Sequence, residues 1–143
     1  MRKAFTMIEI LVVIAVIVIL TVAMVKISQN VSTSAKIKVT QSTIQVLCAA
    51  VEEYSDYHDA PPPSDVNDGS LYSELYKVPK CRKILDKLPE KSMIGTVPDI
   101  TIIDAWGIPL DYTPPADGNP PQVYSAGPDE IPENADDIRS NEL

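Results

Sequence analysis

Three sets of residues in this chain have types and spacings that can do chemistry. Glu9 is a carboxylate at the edge of an apolar run, further carboxylates crowd the C-terminal third, and Cys48 and Cys81 are the two thiols. His58 is the only histidine and follows Tyr57, where a surface position is favoured over catalysis. The sequence contains neither a nucleophile elbow nor a phosphate-binding loop. We therefore predict that the chain is not an enzyme.

The apolar run that surrounds Glu9 predicts a membrane-spanning helix. Residues 10–25 are apolar except for Thr21, and Phe5, Met7 and Ile8 extend the run to about the 20 residues needed to cross a bilayer core. Two basic residues precede the run, so the positive-inside rule places the N-terminus in the cytoplasm and the remainder of the chain outside. No Ala-x-Ala site follows, which favours a retained segment over a cleaved signal peptide.

Glu9 is costly in such a segment. A carboxylate at the edge of a hydrocarbon span is unfavourable unless it is hydrated or paired. Two interpretations are open on physical grounds: Glu9 lies close enough to the interface to stay hydrated, or it meets a partner of opposite charge.

The residues around Glu9 resemble the cleavage and methylation motif of type IV pilins and type II secretion pseudopilins. The matching residues are Lys3-Ala4-Phe5-Thr6-Met7-Ile8-Glu9. The resemblance implies that a prepilin peptidase cuts after Ala4 and that the new amine of Phe5 is methylated. It also implies that Glu9 of one subunit neutralises the Phe5 amine of its neighbour during assembly. Ala4 stands where the family usually has Gly.

The stem is predicted to continue as one helix from Phe5 to about Tyr57. Neither Gly nor Pro occurs in the first sixty residues, and three prolines at 61–63 then end the helix. Beyond the membrane, apolar residues recur at helical spacing and predict the face that holds the head. These residues are Ile37, Ile44, Leu47, Val51 and Tyr54, with Cys48 beside them.

The rest of the chain is predicted to complete an α+β fold, in which a small antiparallel sheet packs on the stem helix. Trp106 is expected to be a core anchor rather than an exposed stacking surface. The expected helices lie at residues 71–76 and 81–88, and the expected strands at 100–103, 108–113 and 122–125.

A basic cluster in the head is interpreted as a solvated face rather than a surface for lipid headgroups. The cluster comprises Lys80, Arg82, Lys83, Lys87 and Lys91, with Glu74, Asp86 and Glu90 expected to balance it. For the two thiols, a disulfide between Cys48 and Cys81 and two separate buried thiols are both open outcomes.

The acidity of the chain is concentrated at its C-terminal end. Residues 99–143 contain ten acidic residues and one basic residue, Arg139, in a chain whose net charge is −8. An acidic surface disfavours nucleic acid as a partner. Such a segment repels itself unless it is neutralised, and a hard divalent cation bound by oxygen ligands is the economical candidate.

The C-terminal segments are similar to those of the major pseudopilin of type II secretion. The similar segments are Asp104-Ala105-Trp106-Gly107-Ile108-Pro109, Tyr124-Ser125-Ala126-Gly127-Pro128-Asp129 and Asn134-Ala135-Asp136-Asp137-Ile138. The resemblance implies a pilin fold and one bound calcium ion. Its implied ligands are the carboxylates of Asp129 and of Asp136 or Asp137, with a carbonyl from Ala126.

These resemblances give a complete hypothesis for the chain. Residues 1–4 are a leader peptide, 5–26 the transmembrane and polymerisation half of the stem, and 27–143 a periplasmic head. The implied function is that of a structural subunit of a type II secretion pseudopilus in the inner membrane. Its implied partners are further copies of itself, minor pseudopilins, prepilin peptidase and an inner-membrane assembly platform. The alternatives are a type IV pilus or competence pilin, and a membrane-anchored periplasmic calcium-binding module.

Overall fold

The first element of the structure is a long helix, α1 (Met7–His58), which no Gly or Pro interrupts. The computed structural model describes residues 6–63, 70–96, 99–116 and 119–143. Asp59 has a φ of 52° immediately after the helix, and the three prolines follow. The predicted helix end near Tyr57 is confirmed. The chain divides into two units, Met1–Ala35 and Lys36–Leu143.

In the first unit, the described side chains from Met7 to Met24 are all exposed. This segment is long and apolar enough to cross a membrane. Large aliphatic side chains that pack on nothing in their own chain need another apolar environment. The predicted leader residue Ala4 and the predicted mature N-terminal residue Phe5 lie outside the described residues.

The second unit is built on the C-terminal part of α1. The face predicted to hold the head is confirmed: Ile44, Leu47, Val51 and Tyr54 are buried, and Ile37 packs against the same core. Thr40 is also fully buried, although helical spacing of apolar residues could not reveal it. A polar residue at that depth needs a hydrogen-bond partner, which is described with the functional site.

Two short helices follow α1 and pack on each other. They are α2 (Ser70–Lys77) and α3 (Pro79–Leu85), the latter with a proline in its first turn. Both were expected, although α3 ends three residues earlier than predicted because its last turn opens at Asp86. Leu71, Leu75 and Leu85 are fully buried or nearly so and attach the pair to the core.

The strands form two antiparallel sheets rather than the single sheet predicted. The first pairs β1 (Met93–Thr96) with β2 (Asp99–Ile102), and the second has the order β3 (Asp111–Thr113), β4 (Gln122–Ser125), β5 (Ile138–Arg139). Strands β1 and β5 were not predicted.

The predicted strand at 108–113 is shorter than expected. Pro109 makes only an isolated antiparallel bridge with Ile103, and regular pairing begins at Asp111. Proline has no amide to donate to a ladder, which is the physical reason for the late start. The coarse prediction of an α+β fold with a long apolar helix and small antiparallel sheets is confirmed.

Trp106 and the basic cluster agree only partly with expectation. Trp106 packs against the core but remains half-buried, and Lys36 Nζ lies 5.7 Å from its ring centroid. The basic side chains are exposed as expected, but two ion pairs differ from the predicted balance of the cluster by Glu74, Asp86 and Glu90. Lys80 pairs with Glu53 of α1 at 2.8 Å, and Glu74 pairs with Lys77 of its own helix.

Tyr112 is the inward-facing residue of β3, opposite the buried Val123 of β4. Its hydroxyl is buried and has no hydrogen-bond partner among the described residues. A buried hydroxyl without a partner loses its hydration and gains nothing in return. The same burial raises the pKa of Tyr112 to about 12, from about 10 in a model peptide.

We expect Tyr112→Phe to raise the free energy of unfolding by about 1 kcal/mol at neutral pH. In the wild type, the unfolded state loses the tyrosine proton near pH 10 while the folded state keeps it to about 12. The free energy of unfolding of the wild type therefore falls by up to about 3 kcal/mol as the pH rises from 10 to 12. Tyr112→Phe removes this part of the pH dependence. Urea denaturation followed by fluorescence of Trp106, the only tryptophan, measures both effects.

The exposed Tyr57 provides the control, because Tyr57→Phe should change neither quantity. A Tyr112→Phe variant that is less stable than wild type at neutral pH would show that the hydroxyl has a partner.

Candidate functional site

The acidic loop, residues 126–137, connects β4 to β5 and contains all four predicted metal ligands. Its two ends are held together because Ser125 and Ile138 are paired neighbours in the sheet. A loop that leaves and re-enters adjacent strands is closed at its base, so its conformation is set by local contacts. The loop belongs entirely to the second unit.

A buried carboxylate, Asp104, fixes the entry to the acidic loop. Its Oδ1 accepts hydrogen bonds from the backbone amides of Trp106 and Ile108, both at 2.9 Å. Its Oδ2 accepts one from the Ser125 hydroxyl at 2.7 Å, and Ser125 Oγ in turn accepts one from the Gly127 amide at 3.1 Å. Asp104 is 3% exposed, and a charge at that depth is tolerated because these donors replace water.

The buried Thr40 ties the same turn to α1. Its Oγ1 accepts a hydrogen bond from the backbone amide of Ala105 at 3.1 Å. The stem helix, the turn after Asp104 and the start of the acidic loop are thus joined in one hydrogen-bonded chain. Neither Thr40 nor Asp104 was predicted as a functional residue. The spacing of Asp104 and Gly107 is typical of a turn, whereas the contact with Thr40 has no local signal.

Gly127 lets the two ends of the acidic loop touch. Its φ is +71°, and a Cβ built on it would lie 2.2 Å from the backbone oxygen of Asp136. Any side chain here would collide with backbone that cannot move aside. Glu130 and Glu133 also have positive φ, at 63° and 68°, which is uncommon for residues with side chains. The loop is therefore held in a specific and partly strained shape.

The predicted ligands Asp129 and Asp136 are brought together by hydrogen bonds. The Asp129 amide donates to Asp136 Oδ2 at 3.3 Å. The two Asp129 oxygens accept from the Ile131 amide at 2.9 Å and the Asn134 side-chain amide at 2.8 Å. Asn134 also accepts from the Asp136 amide at 3.0 Å. Both carboxylates are thus partly satisfied by the loop itself.

Asp137 is the predicted ligand with an oxygen left over. Its side chain is 1% exposed, and its Oδ2 accepts from the Glu133 amide at 3.1 Å and from Arg139 at 3.0 Å. Its Oδ1 is buried with no hydrogen-bond partner among the described residues. Such an oxygen is what a hard cation would coordinate, so the donor chemistry of the loop fits calcium.

The loop nevertheless does not present a ready cage. Within residues 6–63, 70–96, 99–116 and 119–143, no group of three or more His, Cys, Asp or Glu side chains converges as metal ligands. Ala126 is buried at the start of the loop. Each Asp129 oxygen accepts one hydrogen bond and keeps a second lone pair, so coordination by Asp129 would share these oxygens between the present donors and the metal.

At the other end of the chain, Glu9 is engaged by Thr6 of its own chain. Glu9 Oε2 accepts hydrogen bonds from both the amide and the hydroxyl of Thr6, each at 2.9 Å. Thr6 immediately precedes α1, so the pair is the glutamate half of a capping box, Thr-x-x-Glu. The sequence contains this signal, and it assigns Glu9 a local role beside the predicted one.

The thiols form no disulfide. Cys48 is half-buried, and Cys81 is buried with its Sγ donating to the Ala50 carbonyl at 3.4 Å. Burial raises the pKa of both thiols, which keeps them protonated and poorly nucleophilic. His58 is exposed and packs beside the rings of Tyr54 and Tyr57.

Comparison with known proteins adds no relative to this description. No protein-family model matches the chain, and neither a curated protein nor a solved structure matches it significantly.

The two turn glycines provide a matched test of the loop geometry. Gly107 also has positive φ, +94°, but a Cβ there would meet nothing within 4 Å. We expect Gly107→Ala to cost about 1–2 kcal/mol from backbone strain alone. Gly127→Ala adds a backbone collision and should cost more than about 3 kcal/mol. Urea denaturation followed by Trp106 fluorescence measures both, and equal costs would contradict the close approach of residues 127 and 136.

Proposed function

We propose that this chain is a structural subunit of a type II secretion pseudopilus, a member of the type IV pilin-like family. The observation that carries the proposal is the combination of an exposed apolar stem with a carboxylate at its first turn. A simple anchor requires the apolar residues but gains nothing from Glu9 that a neutral residue would not supply. In a subunit that assembles through its stem, a charge at a fixed position along the helix would set the register with the neighbouring stem.

The proposed assembly step uses the N-terminal motif. Cleavage after Ala4 would free the amine of Phe5, close to the carboxylate of Glu9 in sequence. In a filament, the Glu9 carboxylate of one subunit would meet the Phe5 amine of the next, and each would be costly if left unpaired. The register between neighbouring stems would follow from that pair. The pair would also replace the hydrogen bonds that Glu9 now receives from Thr6.

The proposed location follows from the same stem. A single helix able to span the membrane would anchor the subunit in the inner membrane, with the second unit, from Lys36 onward, in the periplasm. Its work there would be mechanical: addition of subunits at the base would extend the fibre and push secreted proteins toward an outer-membrane pore. Prepilin peptidase, minor pseudopilins and the assembly platform would be its partners.

We also propose that the acidic loop binds calcium through Asp129, Asp136 and Asp137, with a carbonyl of Ala126. The unpartnered Asp137 oxygen and the crowded acidity of residues 99–143 support this assignment. Bound there, the ion would supply positive charge that relieves repulsion between the carboxylates. The hydrogen bonds through Asn134 and Ile131 would hold the loop backbone in place around it.

Glu9 substitutions separate its two roles. Glu9→Gln keeps an oxygen that can accept from Thr6, as glutamine does in a capping box, but removes the charge. Glu9→Ala removes both. If the charge pairs between subunits, both variants should be cleaved normally yet lose filaments, visible by electron microscopy of cells that also contain the assembly machinery. N-terminal sequencing of the membrane-bound protein measures the cleavage.

The neighbouring Thr6→Val substitution is the control, because it removes the hydroxyl and leaves the Glu9 charge. It should weaken the helix start by about 0.5–2 kcal/mol and still permit filaments. Filaments formed by Glu9→Gln at the wild-type level would rule out a need for the charge.

Calcium binding should appear as a change in melting temperature. A ligand present at 100 times its dissociation constant adds about 2.7 kcal/mol to stability, so we expect a chelator to lower the Tm of the full chain in detergent by several degrees. Asp137→Asn should start from the lower Tm and lose this response, whereas Glu130→Gln, at an exposed acid outside the proposed ligand set, should retain it. A wild-type Tm that is the same with millimolar calcium and with chelator would contradict the metal site.

A further inference from the structure

A groove on the second unit leaves part of its apolar lining uncovered. The groove has a volume of about 350 Å³, and its apolar walls include Val39 of α1, Ile103 and Trp106. Val39 is 46% exposed and Trp106 is half-buried. Exposed apolar surface beside a half-buried tryptophan is typical of a contact site for another protein.

Two lysines give the groove a positive rim. Lys91 lines it, and Lys36 Nζ lies 5.7 Å from the centroid of the Trp106 ring. Neither lysine forms a salt bridge with a carboxylate in the described part of the chain. The acidic residue in the lining, Asp104, already has both oxygens bound to donors of the head. The rim therefore retains its positive charge for an incoming acidic group.

The acidic loop presents an exposed apolar side chain and negative charge, which complement the apolar walls and positive rim of the groove. Ile131 is 59% exposed at its tip, between the exposed acids Glu130 and Glu133. Its backbone is fixed on both sides, since its amide donates to Asp129 and its carbonyl accepts from Asn134 at 2.9 Å. An apolar side chain on a rigid support, surrounded by negative charge, loses little conformational entropy on docking.

We propose that Ile131 of one copy of this chain inserts into the Trp106 groove of a neighbouring copy, where Lys36 and Lys91 face Glu130 and Glu133. The contact joins two different surfaces, so it is heterologous and lets each copy bind a further copy, as a helical filament requires and a closed two-fold dimer does not. The inference rests on the proposed function, because it names a contact between heads in the filament. Its own support is that each surface combines exposed apolar side chains with charges opposite to those of the other.

Disulfide trapping between two different variants tests the contact. Full-length chains carrying Ile131→Cys and Val39→Cys are produced together with the assembly machinery, and membranes are oxidised. We expect a heterodimer that forms at least about tenfold more than with Ile94→Cys in place of Val39→Cys, because docking of the loop holds positions 131 and 39 together and raises the effective concentration of one thiol at the other. Ile94 is similarly exposed, at 57%, and lies on β1 outside the groove. Ile131→Cys paired with wild-type chains controls for reaction with Cys48.

A charge exchange tests the rim independently. Lys91→Glu and Glu130→Lys should each reduce the trapped heterodimer severalfold, and the two changes combined in one chain should restore it. Lys83→Glu, at an exposed lysine on α3, should have no effect.

The outcomes distinguish this contact from the filament itself. Filaments that form without the Ile131–Val39 heterodimer overturn the contact and leave the proposed function standing. A heterodimer in membranes that contain no filaments supports the contact and overturns the proposed function. Equal trapping at positions 39 and 94 overturns the contact, and it would leave the groove to a different partner.

Discussion

The head is held together at Asp104, where a buried carboxylate accepts three hydrogen bonds from groups that are distant in sequence or would otherwise be unsatisfied. Through Ser125 it fixes the entry to the acidic loop, and through the turn that it organises it is linked to Thr40 of the stem helix. The groove beside Trp106 and the shape of the loop both depend on this arrangement. Charge-assisted hydrogen bonds in a dry environment are strong and directional, which suits a junction between a helix, a turn and a strand.

The parts of the fold that follow from periodicity were accessible from the sequence. The buried face of α1 and the exposed apolar stem were predicted because each is a repeating pattern over many residues. Strands β1 and β5 were missed because one contains Gly95 and the other has two residues. Strands that short are stabilised only by pairing with neighbouring strands, so no local sequence pattern predicts them.

The candidate site was also predictable only in part. Glu9 stands out because it is a carboxylate within an apolar run, and the acidic loop because it concentrates like charges. Both features can be recognised in the sequence alone. The role of Asp104 was not visible, because its partner Ser125 is 21 residues away and the contact exists only in the folded head. The capping contact between Thr6 and Glu9 was present in the sequence as Thr-x-x-Glu. In the single chain, the Glu9 carboxylate satisfies the start of α1.

The closure of the acidic loop at its base has a consequence for how this protein can diversify. Ser125 and Ile138 are paired, and Gly127 touches Asp136, so the residues between them are insulated from the rest of the head. Lengthening such a segment costs only about 0.6 kcal/mol for each doubling of its length. Insertions near the tip would therefore leave the framework folded while reshaping the outer surface. Changes in length among related chains should accordingly fall between Gly127 and Asp136. The paired residues Ser125 and Ile138 and the close approach of Gly127 to Asp136 should vary less.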